Sequence, residues 1–189
     1  MALEPHPLEL ILYKLQHPIQ QLECCESRCP YVSSLIVNSL AELQHLLDNS
    51  SDDKNPSPEC LAHLMGEVHH IAVVGLSRNL EKPARRIPSY LAAKGYDVIP
   101  VNPNAERLLG RVSFQSLESV TGPIDLVLIF RPDADAGSLV EKAVHHPQKP
   151  AIWLQTGIRS VPSVEAARAE DRTVVQDLCI FRVHRVLMD

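Results

Sequence analysis

The chain has 189 residues, of which 45% are hydrophobic and 4% aromatic. This length suits one domain of about 100–150 residues plus an extension, with a core built mainly from Val, Ile, Leu and Ala. The net charge of −5 originates in residues 1–65, which hold nine acidic and three basic side chains, whereas residues 66–189 hold fourteen acidic and fifteen basic ones. Neither part has the dense basic stripe of a nucleic-acid-binding protein.

The sequence contains no uninterrupted apolar run of about 18 residues, so we expect no membrane span. The first residues, MALEPHPLEL, carry acids and prolines where a secretion signal has a basic start and an apolar run. We therefore expect a cytoplasmic protein whose five cysteines are reduced thiols. Four side chains suggest zinc ligands, but they include no C-x-x-C pair, so we predict no metal site: Cys25, Cys29, Cys60 and His63.

Two segments before residue 65 have apolar residues at helical spacing. They predict helices over 8–22, with a kink at Pro18, and over 35–48, with Ser33 or Ser34 as the N-cap. We interpret residues 1–65 as a helical extension of unknown role. Its apolar faces could serve self-association or a protein partner, and we expect residues 1–64 to be dispensable for the core fold.

The second half of the extension has loop composition before its last helix. Residues 48–57, DNSSDDKNPS, predict a flexible linker. Ser57 followed by Pro58 then predicts an N-cap and first helical residue, with a short helix through Leu64. The extension would thus be separated from the following domain by a flexible break.

Residues 66–189 alternate short β-branched runs with helical segments. This alternation predicts an α/β, Rossmann-like, doubly wound parallel sheet. We expect strands over 71–74, 97–101, 124–130, 151–154 and 173–175, and helices over 83–94, 135–145 and 162–169. Trp153 is expected in the core, and Cys179 is expected to be a small buried apolar side chain rather than a reactive thiol.

Ligands of such sheets bind beyond the carboxyl ends of the strands. The first such loop contains Gly75, Leu76, Ser77 and Arg78, where the glycine permits a close backbone approach and the next helix directs its N-terminus at the same place. Cations are unfavourable at a helix N-terminus unless an anion binds there. The loop and the first turn nevertheless carry a cluster of them, which predicts an anionic ligand: Arg78, Lys82, Arg85 and Arg86.

The ligand class can be narrowed from two further features. The G-x-G-x-x-G fingerprint of dinucleotide-binding domains is absent, since only Gly75 is present. The second strand ends in Asn102, where NAD-binding domains use an acid to bind the ribose hydroxyls. A neutral side chain suits a ribose that carries a phosphate, which leaves NADP or coenzyme A (CoA).

Residues 70–189 resemble the stand-alone CoA-binding proteins, relatives of the nucleotide-binding domain in the α subunit of succinyl-CoA synthetase. The resemblance is carried in order by VVGLSRNLEKP, YLAAKGYDVIPVNPN, IDLVLIFRP, AIWLQTGI and VVQDLCI. It implies a Rossmann fold with CoA bound across the strand ends. It places Gly75, Ser77 and Lys82 near the pyrophosphate. Along the rest of the cleft it implies Asn102, Pro103, Phe130, Arg131, Gln155 and Gly157.

The sequence departs from this family in the first helix. Members often have Ser followed by an aromatic residue or His after the Lys/Arg-Pro pair, where Ala84 and Arg85 stand here, and Pro88 should kink the helix. No nucleophile–base pair is evident, and G-x-S-x-G and H-E-x-x-H are missing. In the related synthetase a phosphorylated histidine lies on an additional domain, so the resemblance leads us to expect no acyl-CoA ligation by this chain alone.

We therefore predict non-catalytic binding of CoA or an acyl-CoA by a sensor, carrier or regulatory module. Two alternatives remain open at this point. One is an NADP-linked oxidoreductase or redox sensor, and the other is a protein-interaction module whose cleft has lost its ligand.

Overall fold

A computed structural model describes residues 30–188 of the chain. Five parallel strands form its main sheet in the order β2-β1-β5-β6-β7. A small antiparallel pair, β3 and β4, lies apart from this sheet. The strands are β1 (His70–Val74), β2 (Asp97–Val101), β3 (Arg107–Leu108), β4 (Arg111–Val112), β5 (Leu126–Ile129), β6 (Ala151–Leu154) and β7 (Val174–Val175).

An isolated parallel bridge between Val101 and Phe114 adds one more pairing outside β2. Counting Phe114 as the third strand position gives the Rossmann order 3-2-1-4-5-6. The order reverses between β1 and β5, so the two connections leaving this point diverge above the sheet. The predicted α/β, Rossmann-like fold is confirmed, and the carboxyl ends of β1 and β5 form its switch point.

The described helices are α1 (Pro30–Asp48), α2 (Pro58–Glu67), α3 (Pro83–Ala93), α4 (Asp133–Val144), α5 (Val161–Ala169) and α6 (Ile180–Met188). The predicted helix over 8–22 lies outside the described residues. The α2 start is as predicted, because Ser57 caps it by accepting a hydrogen bond from the Cys60 N–H, and Pro58 follows. The cap predicted at Ser33 or Ser34 is wrong, since α1 begins at Pro30 and includes both.

Alternate strand residues enter two separate core clusters, one on each face of the sheet. Ile71 and Val73 pack with α1, α2, α3 and α6, and Ala72 and Val74 pack with α4 and α5. Trp153 is fully buried in the first cluster, as predicted. Strands buried on both faces explain the near-continuous apolar runs of the sequence.

The extension contributes to the first core cluster. Leu43 of α1 and Leu61 of α2 have 0% exposed surface and lie in the same cluster as Ile71 and Trp153. The segment between the two helices is not the flexible linker that its composition predicts, because its polar side chains bond to residues around β7 and α5. No described helix is long and apolar enough to cross a membrane.

Helix α6 and the β3–β4 pair were not among the predicted elements. The α6 residues Ile180, Val183, His184 and Leu187 are buried at the spacing of one helical face. The His184 ring lies beside the rings of Tyr90 and Tyr96. A hydrogen bond of 2.9 Å between His184 Nδ1 and the Tyr90 hydroxyl joins α6 to α3. Helix α6 thus packs beside α3 on the same face of the sheet.

Candidate functional site

The residues that follow the five strands of the main sheet form a single row across its edge. Extending the strand registers by one residue, and that of β7 by two, aligns five residues across the sheet: Asn102, Gly75, Phe130, Gln155 and Asp177. Backbone bonds continue the ladder into this row, since the Gly75 N–H donates to Val101 at 3.1 Å and the Phe130 N–H donates to Val74 at 2.9 Å. Four of these five residues were predicted to line the cleft.

Gly75 joins the β1 and β5 ends closely enough to exclude any side chain. Its φ is +88°, and a Cβ atom at this position would lie 2.6 Å from the Phe130 carbonyl oxygen and 2.9 Å from Arg131 Cδ. The first distance is shorter than any ordinary contact, and the backbone oxygen cannot rotate away. The glycine is therefore required both by the turn and by the approach of the β5 loop.

The loop after Gly75 is anchored to the Ala84 carbonyl, which lacks its usual hydrogen-bond donor within α3. Pro88 has no N–H, so the Ala84 carbonyl one turn earlier loses its helical donor. The Ser77 N–H donates to that carbonyl instead, at 3.0 Å. The Ser77 N–H is thus not available to a ligand, and the Ser77 hydroxyl oxygen accepts a hydrogen bond from the Asn79 N–H.

Two other backbone N–H groups of this loop are available to a ligand. The N–H groups of Leu76 and Arg78 donate to no other described residue. The Leu76 side chain is fully buried in the first core cluster, so only its backbone can take part in binding.

The cationic cluster around the start of α3 has no acidic partner among residues 30–188. None of Arg78, Lys82, Arg85 and Arg86 lies within 4.0 Å of a described carboxylate. Lys82 is the exposed N-cap residue of α3 and makes no side-chain capping bond. The Arg78 guanidinium donates to the Asn104 carbonyl, and the buried Arg85 Nε bonds to no described residue. Four cations therefore face a helix N-terminus that already carries partial positive charge.

A groove of about 270 Å³ lies over the ends of β1, β2 and β5. It is lined by Gly75, Asn102, Pro103, Asn104, Arg131 and Lys142, among others. A second concavity of about 580 Å³ shares Pro103 and Asn104 with it and extends to Arg78 and Arg107. We call this region, with the loop after Gly75, the β1–β2 side of the cleft.

Asn102 has a structural role that could not be predicted from its position in the sequence. Its Nδ2 donates to the Leu76 carbonyl at 2.8 Å, and its Oδ1 accepts from the Asn104 N–H at 2.8 Å. Both ends of the amide therefore tie the β1 and β2 loops together. A carboxylate could not donate to the Leu76 carbonyl, so the asparagine is explained without any ligand, and its neutrality no longer discriminates between NAD and CoA.

The β5 loop and α4 place two further cations at the groove, each beside an acid. Arg131 donates to Asp135 through Nη2 at 2.6 Å, and Lys142 lies 3.3 Å from Glu118. Both pairs are half-exposed, so they are weak and water competes for them. Lys142 and Asn104 were missed as site residues. Asn104 lies in the loop after β2, next to the predicted Asn102 and Pro103. Nothing in the local sequence indicates that Lys142 of α4 lines the same groove.

The ends of β6 and β7 form a different surface, the β6–β7 side of the cleft. Gln155 is 4% exposed, and its side-chain nitrogen, Nε2, bonds to no described residue. Gly157 does not line the groove, and its N–H donates to Asp177 Oδ1 at 2.6 Å. Asp177 also accepts from Ser51 and from Arg159 Nη2 at 3.0 Å. The predicted cleft residues Gln155 and Gly157 thus lie apart from the β1–β2 side.

Hydrogen bonds determine the charge state of Asp177. Burial by itself would raise the pKa of this carboxyl group. Donors from Gly157 and Ser51, together with the Arg159 guanidinium, outweigh burial and hold the pKa below its ordinary value of 3.8. Asp177 is therefore a carboxylate at neutral pH, and it was missed as a site residue although it lies only two residues after the last predicted strand.

Comparison with known proteins identifies the family. Residues 69–185 match the family described as CoA binding domain. A Bacillus subtilis (strain 168) relative, the uncharacterized protein YneT, is 32% identical over 133 residues, which are 70% of this chain and 98% of that protein. The extension lies outside the matched residues.

Two solved structures are similar over the same region. One is the Thermus thermophilus protein described as cell-free ID.343, with TM-score 0.64, 31% identity, and coverage of 68% of this chain and 97% of that one. The other is a hypothetical protein of Pyrococcus horikoshii OT3, with TM-score 0.65, 28% identity, and coverage of 69% and 92%. Together with the sequence match over residues 69–185, these likenesses show that the chain belongs to the CoA-binding domain family.

Proposed function

We propose that the protein binds CoA or an acyl-CoA without transforming it, as a sensor, carrier or regulatory module. The observation that carries this proposal is the cluster of four cations at the start of α3 that has no described acidic partner. Like charges gathered at a helix N-terminus destabilise a fold unless an anion neutralises them. CoA supplies a pyrophosphate and a ribose phosphate.

The geometry favours one direction for the ligand. The pyrophosphate would accept from the Leu76 and Arg78 N–H groups, with Lys82 neutralising its charge. The adenosine would lie in the groove over the β2 end, between Pro103 and Arg131. The pantetheine arm would then cross Phe130 towards the free amide of Gln155. The remaining predicted contacts, Ser77, Arg85, Asn102 and Gly157, would act by shaping these loops or by adding charge.

The absence of catalysis is part of the same proposal. The cations and amide N–H groups of the β1–β2 side can hold a charged ligand in place, and Asp135, one of the acids that line it, is paired with Arg131. Cys179, which precedes α6, is only partly buried and not fully buried as expected, and its role as a structural thiol remains a prediction. The cytoplasmic location also remains a prediction from the sequence.

The first test is the melting temperature of the full chain with CoA, acetyl-CoA, NAD and NADP in parallel. A ligand at 100 times its dissociation constant stabilises the fold by about 2.7 kcal/mol. We expect CoA or acetyl-CoA to raise the melting temperature, and Lys82→Glu to abolish the increase. The matched control is Lys94→Glu, which reverses an exposed charge just past the other end of the same helix.

Each other result would favour a different function. Stabilisation by NADP and not by CoA would favour the oxidoreductase or redox-sensor alternative. Equal responses of the Lys82 and Lys94 variants would show that α3 does not bind the phosphates. No response to any of the four ligands would favour the interaction module.

A further inference from the structure

Residues 50–55 of the extension bond to the two residues that follow β7. The Asn55 side chain pairs with the backbone of Gln176, donating to its carbonyl at 2.8 Å and accepting from its N–H at 2.8 Å. Ser51 donates to the Asp177 carboxylate through both its N–H and its hydroxyl. We call residues 50–55 the extension latch.

A buried carboxylate fixes the latch from within. Asp52 is 9% exposed and accepts from Arg168 Nη2 at 2.9 Å and from Gln176 Nε2 at 3.0 Å. The Lys54 N–H also donates to it, at 3.0 Å. The charge is thereby paired and hydrogen-bonded, which is the condition for burying a carboxylate. The latch is therefore held in one conformation rather than resting on the surface.

The same two residues also hold the loop that follows β6. The Gly157 N–H donates to Asp177 Oδ1 at 2.6 Å, and the Ser160 N–H donates to Gln176 Oε1 at 2.7 Å. Arg159 adds a bond to the second oxygen of Asp177. Gln176 and Asp177 thus each bond both to the latch and to residues 156–160.

We propose that the extension latch positions the loop of residues 156–160 and so determines how tightly the pantetheine end of the ligand is bound. The second half of this inference rests on the proposed CoA binding, because Gln155 and this loop form the far end of the row of strand-end residues. The latch lies outside residues 69–185, so it is an addition of this chain to the domain that the family shares.

The test compares the double variant Ser51→Ala/Asn55→Ala with Lys54→Ala. The double variant removes the Asn55 bonds to the Gln176 backbone and the Ser51 hydroxyl bond to Asp177, and it leaves the Asp52 bond to the Gln176 side chain in place. Lys54 lies in the same segment, but its side chain only forms an exposed ion pair with Glu165. Hydrogen–deuterium exchange of the unliganded full chain is the first measurement. We expect exchange of residues 156–160 to accelerate about tenfold in the double variant and to stay unchanged in Lys54→Ala, with β1 and β5 unaffected in both.

The second measurement separates the two ends of the ligand. CoA is compared with adenosine 3′,5′-bisphosphate, which has no pantetheine. We expect the double variant to bind CoA about fivefold more weakly and the bisphosphate as the parent does. If the double variant does not fold, Ser51→Ala alone serves in its place, because its side chain is exposed and the Asn55 bonds remain.

Three results would overturn the proposal. Unchanged exchange of residues 156–160 would show that the latch does not position the loop. Faster exchange with unchanged CoA affinity would show that the loop does not meet the ligand. A parallel loss of CoA and bisphosphate affinity would indicate general destabilisation. If the parent protein binds neither compound, the proposed function fails, and the exchange measurement still decides whether the latch positions the loop.

Discussion

The two sides of the cleft differ in where their polar groups find partners. On the β1–β2 side, four cations and two loop amides bond to no acid within the described residues. On the β6–β7 side, Asp177 and Gln176 are bonded to the loop and to the extension at once. An unpaired cluster suits a ligand that arrives with charge, whereas a paired network suits a wall. This difference supports the proposed binding of a charged ligand on the β1–β2 side and a structural role for the β6–β7 side.

The strongest way to break this comparison is to delete residues 1–64. The deletion removes the latch and also Leu43 and Leu61, which are fully buried in the core. Truncating one such leucine to alanine costs about 2–5 kcal/mol, and a whole domain is stable by only about 5–15 kcal/mol. We expect the deletion to abolish cooperative unfolding in urea, contrary to the dispensable extension that the sequence suggested. Deletion of residues 1–29 keeps every contact described above and is the control.

Replacing Gly75 tests the β1–β2 side. Gly75→Ala forces a side chain to a positive φ and to 2.6 Å from the Phe130 carbonyl oxygen. We expect a loss of about 3 kcal/mol in the free energy of unfolding and the loss of CoA binding. Gly95→Ala is the matched control, since Gly95 has φ +100° but no atom within 4 Å of its Cβ position. It should cost only about 1 kcal/mol; equal costs would mean that the loops do not approach closely.

Replacing Asp52 tests the β6–β7 side. Asp52→Ala leaves the largely buried Arg168 guanidinium without its carboxylate. We expect a loss of about 2 kcal/mol, less than for a fully buried pair because the Arg168 side chain is 20% exposed. The exposed Lys54–Glu165 pair is the comparison, and Lys54→Ala should not change the urea midpoint measurably. Similar midpoints for the two variants would contradict the role given to the buried pair.

The same network predicts how stability depends on pH. Burial alone would raise the pKa of Asp52, but its bonds with Arg168, Lys54 and Gln176 lower it below the ordinary 3.8. A depressed carboxyl pKa stabilises the fold fully above the unfolded value, and this contribution is lost as pH falls below it. We therefore expect unfolding free energy to fall below about pH 4. The decline should be shallower in Asp52→Asn; parallel curves would show that Asp52 does not contribute.

The smallest effect on stability is expected at Arg131. Arg131→Ala and Asp135→Ala remove the same half-exposed ion pair, so each should cost at most about 0.5 kcal/mol. Their effects on CoA affinity should differ, because only the first removes the predicted ligand contact. We expect weaker binding by Arg131→Ala and equal or tighter binding by Asp135→Ala in titration calorimetry. Equal weakening by both would show that Arg131 acts only through Asp135.

Local sequence patterns were sufficient to predict the sheet and the edge where the site lies. The run Leu126–Ile129 is buried on both faces, and parallel strands carry their carboxyl ends to one edge, so the loops after them had to meet. Helix α6 was not predicted, although Ile180, Val183 and Leu187 have the spacing of one helical face.

Other features could not be predicted from local patterns. The bond between Asn55 and Gln176 joins residues 121 positions apart, and nothing near either residue indicates it. Composition predicted a flexible linker there because Asn, Asp and Ser are common in loops, whether or not those loops bond to a distant strand. The task of Asn102 was hidden for the same reason, since its partner Leu76 belongs to another loop.

The bond between Ser77 and Ala84 places part of the cleft's geometry under the control of a residue outside it. At position 88, any residue other than proline would bring an N–H that competes with Ser77 for one carbonyl. The helix would become more regular while the loop lost its anchor. Ligand affinity could thus be reduced by improving a helix, with every side chain of the cleft left intact, and a stabilised variant of this protein would then be a poorer binder.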